Sequence, residues 1–431
     1  MKDFPADIAG RFLFAMIVLS YVLATLNFFA GTSIRAVFPV ATLLSAMYIF
    51  FTKGEFYDKC KAVAVSLLFV GASMALCAIM EDPSFDGNTY HQEEIALMLD
   101  GWNPVRDTPP AGTSLWAVHY AKGIEIIAAS VAAFTGSIES GKSVNIILIA
   151  ASFLLTYTFF RKNECMFSDR RCCVLSLAII ANPVGICQSL TFYVDYTKYY
   201  LLLLTFIAVA SLCRRFSSKY CLLLSGSIIL ASAAKFNIFF EEGIAMAAML
   251  LWLLIKRNFN TAVKIACVSL GAAIIGLFLA FHPYVTNYMS AGHPLYPLLG
   301  EGAVDIMTSN TPAVYAGHGR IVNFFISYFT PAWPTISGSV NGFGVMLIPL
   351  LLLSVYVFAK FRHKIKAWEW YAITGILLSC FFYEQSWWAR YNCQLWFIPC
   401  FAFYIVLSRG ATKLLANSFG LLFGVNIVLC A

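Results

Sequence analysis

Apolar runs of helical length follow one another along this chain, separated by short polar stretches. They fall at 9–30, 36–51, 62–80, 142–160, 172–190, 198–213, 220–234, 242–255, 264–281, 343–360, 367–383, 392–408 and 414–430. Each run is continuous rather than alternating, so the pattern predicts helices and not the strands of an outer-membrane barrel. In lipid every backbone polar group must be satisfied internally, which helices achieve alone. The reading is an all-α polytopic membrane protein of about thirteen transmembrane helices, several near the lower length limit for a span. One domain over 1–431 is expected. Two polar segments interrupt it, 81–141 and 282–342. Within the first, 114–135 is moderately apolar but broken by His119, Lys122 and Glu125. A crossing there would invert every later loop, so this stretch predicts an interfacial or re-entrant helix.

The charges then orient the helices. Lys53, Lys59 and Lys61 share one loop, and Arg161, Lys162, Arg170 and Arg171 another. Arg214, Arg215 and Lys219 follow, then Lys256, Arg257 and Lys264, then Lys360, Arg362, Lys364 and Lys366, and last Arg409 and Lys413. With these spans all six clusters fall on one side, which the positive-inside rule makes cytoplasmic. The opposite side receives 81–141, 282–342 and the turns 191–197, 235–241 and 384–391. Composition agrees: 60% of residues are hydrophobic and 12% charged, against about 25% charged in soluble domains. The net charge of +7 is dispersed over short loops. It is therefore a topology signal, and no nucleic-acid partner is expected. The first run is long and lacks a small-residue cleavage site, so no cleavable signal peptide is expected. The cysteines lie in or beside apolar runs, as Cys77, Cys187, Cys267, Cys380 and Cys400 do, which predicts small buried hydrophobes rather than disulfides or a thiolate metal site.

Four polar groups gather on the basic-poor side. The first is Asp86-x-x-x-Tyr90-His91, whose spacing keeps the three near one helical face. A carboxylate there is a candidate general base for a hydroxyl; the plain alternative is a hydrated loop acid. The second is Tyr193-Val-Asp195-Tyr-Thr-Lys198, with acid and cation one turn apart: either a helix-end ion pair or the lining of a substrate path. The third is Lys235-Phe-Asn237 with Glu241 and Glu242, where Lys235 either snorkels or holds an anionic head group. The fourth is Trp387-Trp388-Ala-Arg390-Tyr391, either an aromatic belt anchor or a guanidinium clamp on phosphate. The loop Gly292-His293-Pro-Leu-Tyr296-Pro297 is a rigid turn that stands either as structure or at the mouth of a pocket. Zincin and nucleophile-elbow motifs are absent from the sequence.

In order along most of the chain, Asp86-x-x-x-Tyr90-His91, Tyr193-x-Asp195, Ala234-Lys235-Phe236, Gly292-His-Pro-Leu-Tyr-Pro297 and Ala389-Arg390-Tyr391 resemble the GT-C class of polytopic glycosyltransferases. The likeness is to bacterial relatives of protein O-mannosyltransferases and of the lipid A aminoarabinose transferase. It implies a GT-C-like bundle in a bacterial inner membrane, with the site facing the periplasm. It also implies an inverting transfer from a polyprenyl-phosphate sugar to an extracytoplasmic glycan, lipid or protein. The base role falls on Asp86, with Tyr90 and His91 supporting it. Arg390, with Lys198 and Lys235 next, would hold the phosphate, and Asp195, His293, Tyr296 and Tyr391 would complete the substrate site. No cofactor and no metal ligand are assigned; a divalent metal is left open.

Two departures from the family stand out. Gly87 occupies the place of a second acid, and the adjacent pair Glu81–Asp82 is an alternative motif. The acid loop also follows the third span instead of the first. Two further functions are weighed: a flippase or transporter of a lipid-linked saccharide, and a polysaccharide polymerase or ligase.

Overall fold

The structure, a computed structural model, describes residues 5–164, 167–304, 311–381 and 385–430. Residues 305–310, inside the 282–342 segment, and 382–384, at the end of the expected span 367–383 and the start of the turn 384–391, lie outside the described residues. The regular structure of the described residues is helical throughout. Among them seven helices are long and apolar enough to cross a membrane: Pro5–Ala30, Phe56–Ala78, Glu139–Asn163, Thr197–Arg214, Phe236–Ile255, Phe259–Leu279 and Lys413–Cys430. Val37–Phe51, Ser218–Ala234, Leu347–Phe361 and Cys393–Ser408 are apolar but shorter. Leu43, Leu68, Leu270, Phe278, Val355 and Leu421 stand exposed on these helices. Such faces need hydrocarbon around them rather than water, and the chain is an α-helical membrane protein.

By its internal contacts the chain divides into two compact units, Met1–Thr158 with Ser189–Asp305, and Phe159–Gln188 with Ile306–Ala431. In the first unit α1 (Pro5–Ala30) packs against α2 (Val37–Phe51), α3 (Phe56–Ala78), α6 (Gly123–Thr135) and α11 (Ser218–Ala234). Helix α4 (Gln92–Leu99) and the short α5 (Leu115–His119) lie between α3 and α6 in sequence, and α7 (Ser143–Asn163) follows. Helix α11 also packs against α10 (Thr197–Arg214), α12 (Phe236–Ile255) and α13 (Phe259–Leu279), and α14 (Phe281–Ala291) follows α13. Every residue of α11 from Gly226 to Ala234 is buried, because small residues let its neighbours come close. A Cβ at Gly226 would lie 2.8 Å from Phe14 Cε1 of α1, and one at Gly276 of α13 would lie 3.2 Å from the Ile229 Cα. The two ends of α11 carry charge. Lys219 at its start reaches Asp7 at 3.4 Å, and Lys235 just past its end reaches Asp195 at 2.6 Å. Sixteen residues of helix separate the two lysines by about 24 Å.

The stretch 123–132 is buried at every position. Helix α6 packs against α1, α2, α4 and α11, so protein surrounds it. Its entry is set by Gly123, where a Cβ would lie 2.7 Å from the Ala233 Cβ and 2.8 Å from the Ala233 carbonyl group.

The second unit contains α8 (Asp169–Ile180), α9 (Pro183–Gln188), α15 (Arg320–Phe329), α16 (Leu347–Phe361), α17 (Ala367–Cys380), α18 (Phe397–Ser408) and α19 (Lys413–Cys430). Trp396 sits at its centre. Its Nε1 donates to the Ala178 carbonyl at 3.0 Å, and its ring meets Phe343 and Phe423 at 6.1 and 5.4 Å. The expected single span 172–190 is broken here, which corrects that reading. Helix α8 ends at Ile180, and Asn182 caps a new start by accepting from the Val184 N–H at 3.0 Å. Pro183 has no N–H to continue the first helix and suits the first position of the second.

The close seat of Gly123 yields a prediction. Gly123→Ala forces a methyl onto backbone that cannot swing aside, and should destabilise by about 1–3 kcal/mol. Thermal unfolding of the detergent-solubilised protein checks it, with a lowered Tm expected.

Candidate functional site

The polar groups of the first unit are built from five pieces of chain. A π-helical turn, Gly87–His91, leads directly into α4. Before it, the buried Asp82 accepts from the Ser84 N–H with one oxygen and from the Phe192 N–H with the other, both at 2.8 Å. One carboxylate thus ties the acid loop to the stretch before α10. Asp82, half of the alternative motif Glu81–Asp82, is therefore occupied as a structural link. The Gly87 departure has a steric reason as well. A Cβ at position 87 would overlap the Asp82 carboxylate and crowd Ser84 Oγ, so a second acid does not fit there. Asp86 is half-buried at the start of the turn.

Tyr90 and His91 are buried with their rings 4.2 Å apart, and Tyr90 meets Tyr120 edge-on at 5.9 Å. His91 Nδ1 lies 2.6 Å from Glu125 Oε1 in the first turn of α6. Glu94, on the same face of the turn as His91, is fully buried with Lys122 Nζ at 3.8 Å, an ion-pair separation too long for a hydrogen bond. Lys122 donates instead to the Tyr120 carbonyl at 2.8 Å. Burial pushes the Glu94 carboxyl well above the usual carboxylate range, against the pull of Lys122. Burial likewise lowers Lys122, against the pull of Glu94 and Glu125.

A second pair of ion pairs lies at the ends of α10, α11 and α12. Lys235 Nζ meets Asp195 at 2.6 Å, and Lys198 Nζ meets Glu241 at 2.7 Å. The Lys235 side chain keeps 18% of its surface exposed, whereas that of Lys198 keeps 1%. Lys198 is thus sealed in, and Lys235 is the more accessible cation. Glu242 is buried beside them and accepts from Thr205 at 3.1 Å.

The 282–297 loop closes on the same unit. Asn287 bridges it, donating to the carbonyls of His119 and Tyr296 at 2.9 and 2.8 Å. The Tyr296 ring meets His119 edge-on at 4.7 Å, and His293 Nδ1 accepts from the Leu295 N–H at 3.1 Å. His282 is buried against Trp102, and burial, reinforced by Lys122 and His119, keeps its imidazole neutral, with its pKa well below the usual value. Of the residues predicted from sequence, Tyr90 and His91 thus join one network, Asp195, Lys198 and Lys235 a second, and His293 and Tyr296 the loop beside His119.

Arg390 and Tyr391 belong to the second unit. The Arg390 guanidinium carbon lies 4.1 Å above the Trp388 ring centre and 5.4 Å from that of Tyr391. Trp388 stacks on Trp387, which stacks on Tyr315 at 4.4 Å. The guanidinium carbon lies over an aromatic stack at the distance of a cation–π contact.

Sequence reasoning assigned no role to Glu94, Lys122 or Glu125. Lys122 and Glu125 read as interruptions in a greasy stretch. The available signal was His91-x-x-Glu94, whose spacing of three puts both side chains on one face. The chain matches no protein-family model, and no curated protein or solved structure is found similar to it.

Asp82 gives the prediction for this framework. Asp82→Ala removes two charge-assisted hydrogen bonds to buried N–H groups and should cost roughly 2–4 kcal/mol. A fall in Tm checks it.

Proposed function

We propose that the protein is an inverting membrane glycosyltransferase of GT-C type. It would move a sugar from a polyprenyl-phosphate donor to an extracytoplasmic glycan, lipid or protein. On this reading all thirteen apolar runs serve the membrane region, the basic loops face the cytoplasm, and the acid loop faces outward across a bacterial inner membrane. Asp86 takes the proton of the acceptor hydroxyl as its oxygen attacks the anomeric carbon. The bond from that carbon to the phosphate oxygen breaks, and the polyprenyl phosphate leaves with the electron pair.

The observation that carries the reading is the Asp82 link. It binds the Asp86 turn to the chain that presents Asp195, which in turn pairs with Lys235. An acid for the acceptor and a partly exposed cation for the donor phosphate are so mounted on one compact unit. With Asp195 already on Lys235, an incoming phosphate displaces a carboxylate instead of meeting a bare ammonium. The donor phosphodiester and the carboxylate it displaces carry the same single negative charge, so the exchange leaves the charge on Lys235 matched. In the second unit, Arg390 is a separate candidate for a phosphate, since a guanidinium grips phosphate in two-point fashion. Closely packed apolar helices around the polar groups limit water and so limit hydrolysis of the donor.

A second reading rests on Lys198, Glu241 and Glu242. They are buried on helices α10 and α12, where ionisable groups mark transport paths. A flippase for a lipid-linked saccharide would use them.

Reconstituted protein given a labelled polyprenyl-phosphate sugar and an acceptor extract separates the two. Transfer of label to acceptor is expected, and Asp86→Asn should reduce it by about 10²–10⁴-fold with an unchanged Tm. Unchanged transfer in that variant removes Asp86 as base. Movement of the lipid between leaflets without transfer favours the flippase.

A further inference from the structure

His91, Glu94 and Glu125 meet inside the first unit, and the transfer chemistry uses neither carboxylate. His91 closes the π-helical turn, Glu94 lies in the first turn of α4, and Glu125 in the first turn of α6. Their exposures are 3%, 0% and 2%. One donor atom from each lies within 4.8 Å of the others. His91 Nδ1 contacts Glu125 Oε1, but Glu125 Oε2 and both oxygens of Glu94 have no hydrogen-bond partner among the described residues. Buried carboxylate oxygens require a donor or a cation, and an uncompensated buried charge costs several kcal/mol. Lys122 supplies a charge nearby. Its Nζ, however, is 3.8 Å from Glu94 and directed to the Tyr120 carbonyl, and it lies 6.0 Å from the centre of the Trp102 ring.

We propose that His91, Glu94 and Glu125 form a binding site for one divalent transition-metal ion, Zn²⁺ foremost. His91 Nδ1 and one oxygen from each carboxylate would be the protein ligands. A nitrogen with two carboxylate oxygens suits Zn²⁺. Mg²⁺ and Ca²⁺ favour oxygen alone. Tetrahedral coordination sets ligand atoms about 3.4 Å apart. His91 Nδ1 and Glu125 Oε1 therefore separate a little from 2.6 Å, and the remaining ligand atoms, all within 4.8 Å of one another, need only small shifts. Three protein ligands leave a fourth position for water. The ion takes over from Lys122 the neutralisation of Glu94 and adds that of Glu125, and the Lys122 ammonium is then carried by the Tyr120 carbonyl and the face of Trp102. Bound metal would pin the turn that follows Asp86 to α6, and through Gly123 to the end of α11. The site is argued from these three side chains alone and stands whether or not the protein transfers sugars.

The test uses the full chain in detergent, stripped with chelator and dialysed against micromolar Zn²⁺. Elemental analysis should find one zinc per chain, and zinc K-edge absorption should show nitrogen and oxygen ligands at about 2.0–2.2 Å. Glu94→Gln and Glu125→Gln should each weaken the affinity at least tenfold, read by competition with a chelating dye on protein that elutes as a single species. Failure of wild-type protein to retain zinc overturns the proposal. So does sulfur at about 2.3 Å, which would assign the metal to cysteines, and so does undiminished binding in folded carboxylate variants. If the variants do not fold, stoichiometry and ligand type in the wild type still decide.

Discussion

Charges buried in an apolar helical protein must be matched where they lie, and the first unit follows that constraint closely. Asp7 faces Arg11 and Lys219, Asp195 faces Lys235, Lys198 faces Glu241, and Glu94 faces Lys122. Desolvation makes each partner expensive to leave alone, and breaking such a pair costs about 3–5 kcal/mol. The pairs therefore fix which helix ends stand together. Asp195–Lys235 holds the start of α10 to the junction of α11 and α12. Lys198–Glu241 repeats that tie one turn further along.

Close backbone contact does the rest. Gly226 and Gly276 bring α1 and α13 onto α11, and Gly123 seats α6 against the last turn of α11. Because α6 starts there, Lys122 and Glu125 enter the region of His91 and Glu94 from a buried helix. Asp82 is the counterpart on the loop side, spending its carboxylate on two N–H groups 108 residues apart. The same carboxylate excludes any side chain at Gly87. What looked like a missing acid is thus a place where the chain has room only for glycine.

Most helices could be read from the sequence because their signal is strong: long continuous apolar runs, ended by basic loops. The observed α1, α2, α7, α10, α11 and α19 begin and end within a few residues of the expected spans. The break at Asn182–Pro183 was written in the sequence as a cap followed by proline, but the surrounding hydrophobicity masked it. The polar site was legible only in part. Asp195, Lys198 and Lys235 stood out as charges at helix ends, and they do pair, though each with an acid. The partners of His91 and Glu94 could not be read, since Glu125 lies 34 residues from His91 in a stretch whose burial no local pattern reveals. A pairing between distant residues depends on helix packing, which periodicity does not encode.

We propose that the first unit holds a lipid phosphate on Lys235, on the same unit as the Asp86 turn. An experimental structure with polyprenyl phosphate bound tests it most directly. Phosphate oxygens are expected within hydrogen-bond distance of Lys235 Nζ, with Asp195 displaced from that ammonium and Asp86 facing the same cavity. A phosphate seated away from Lys235, with the Asp195–Lys235 pair intact, would contradict it.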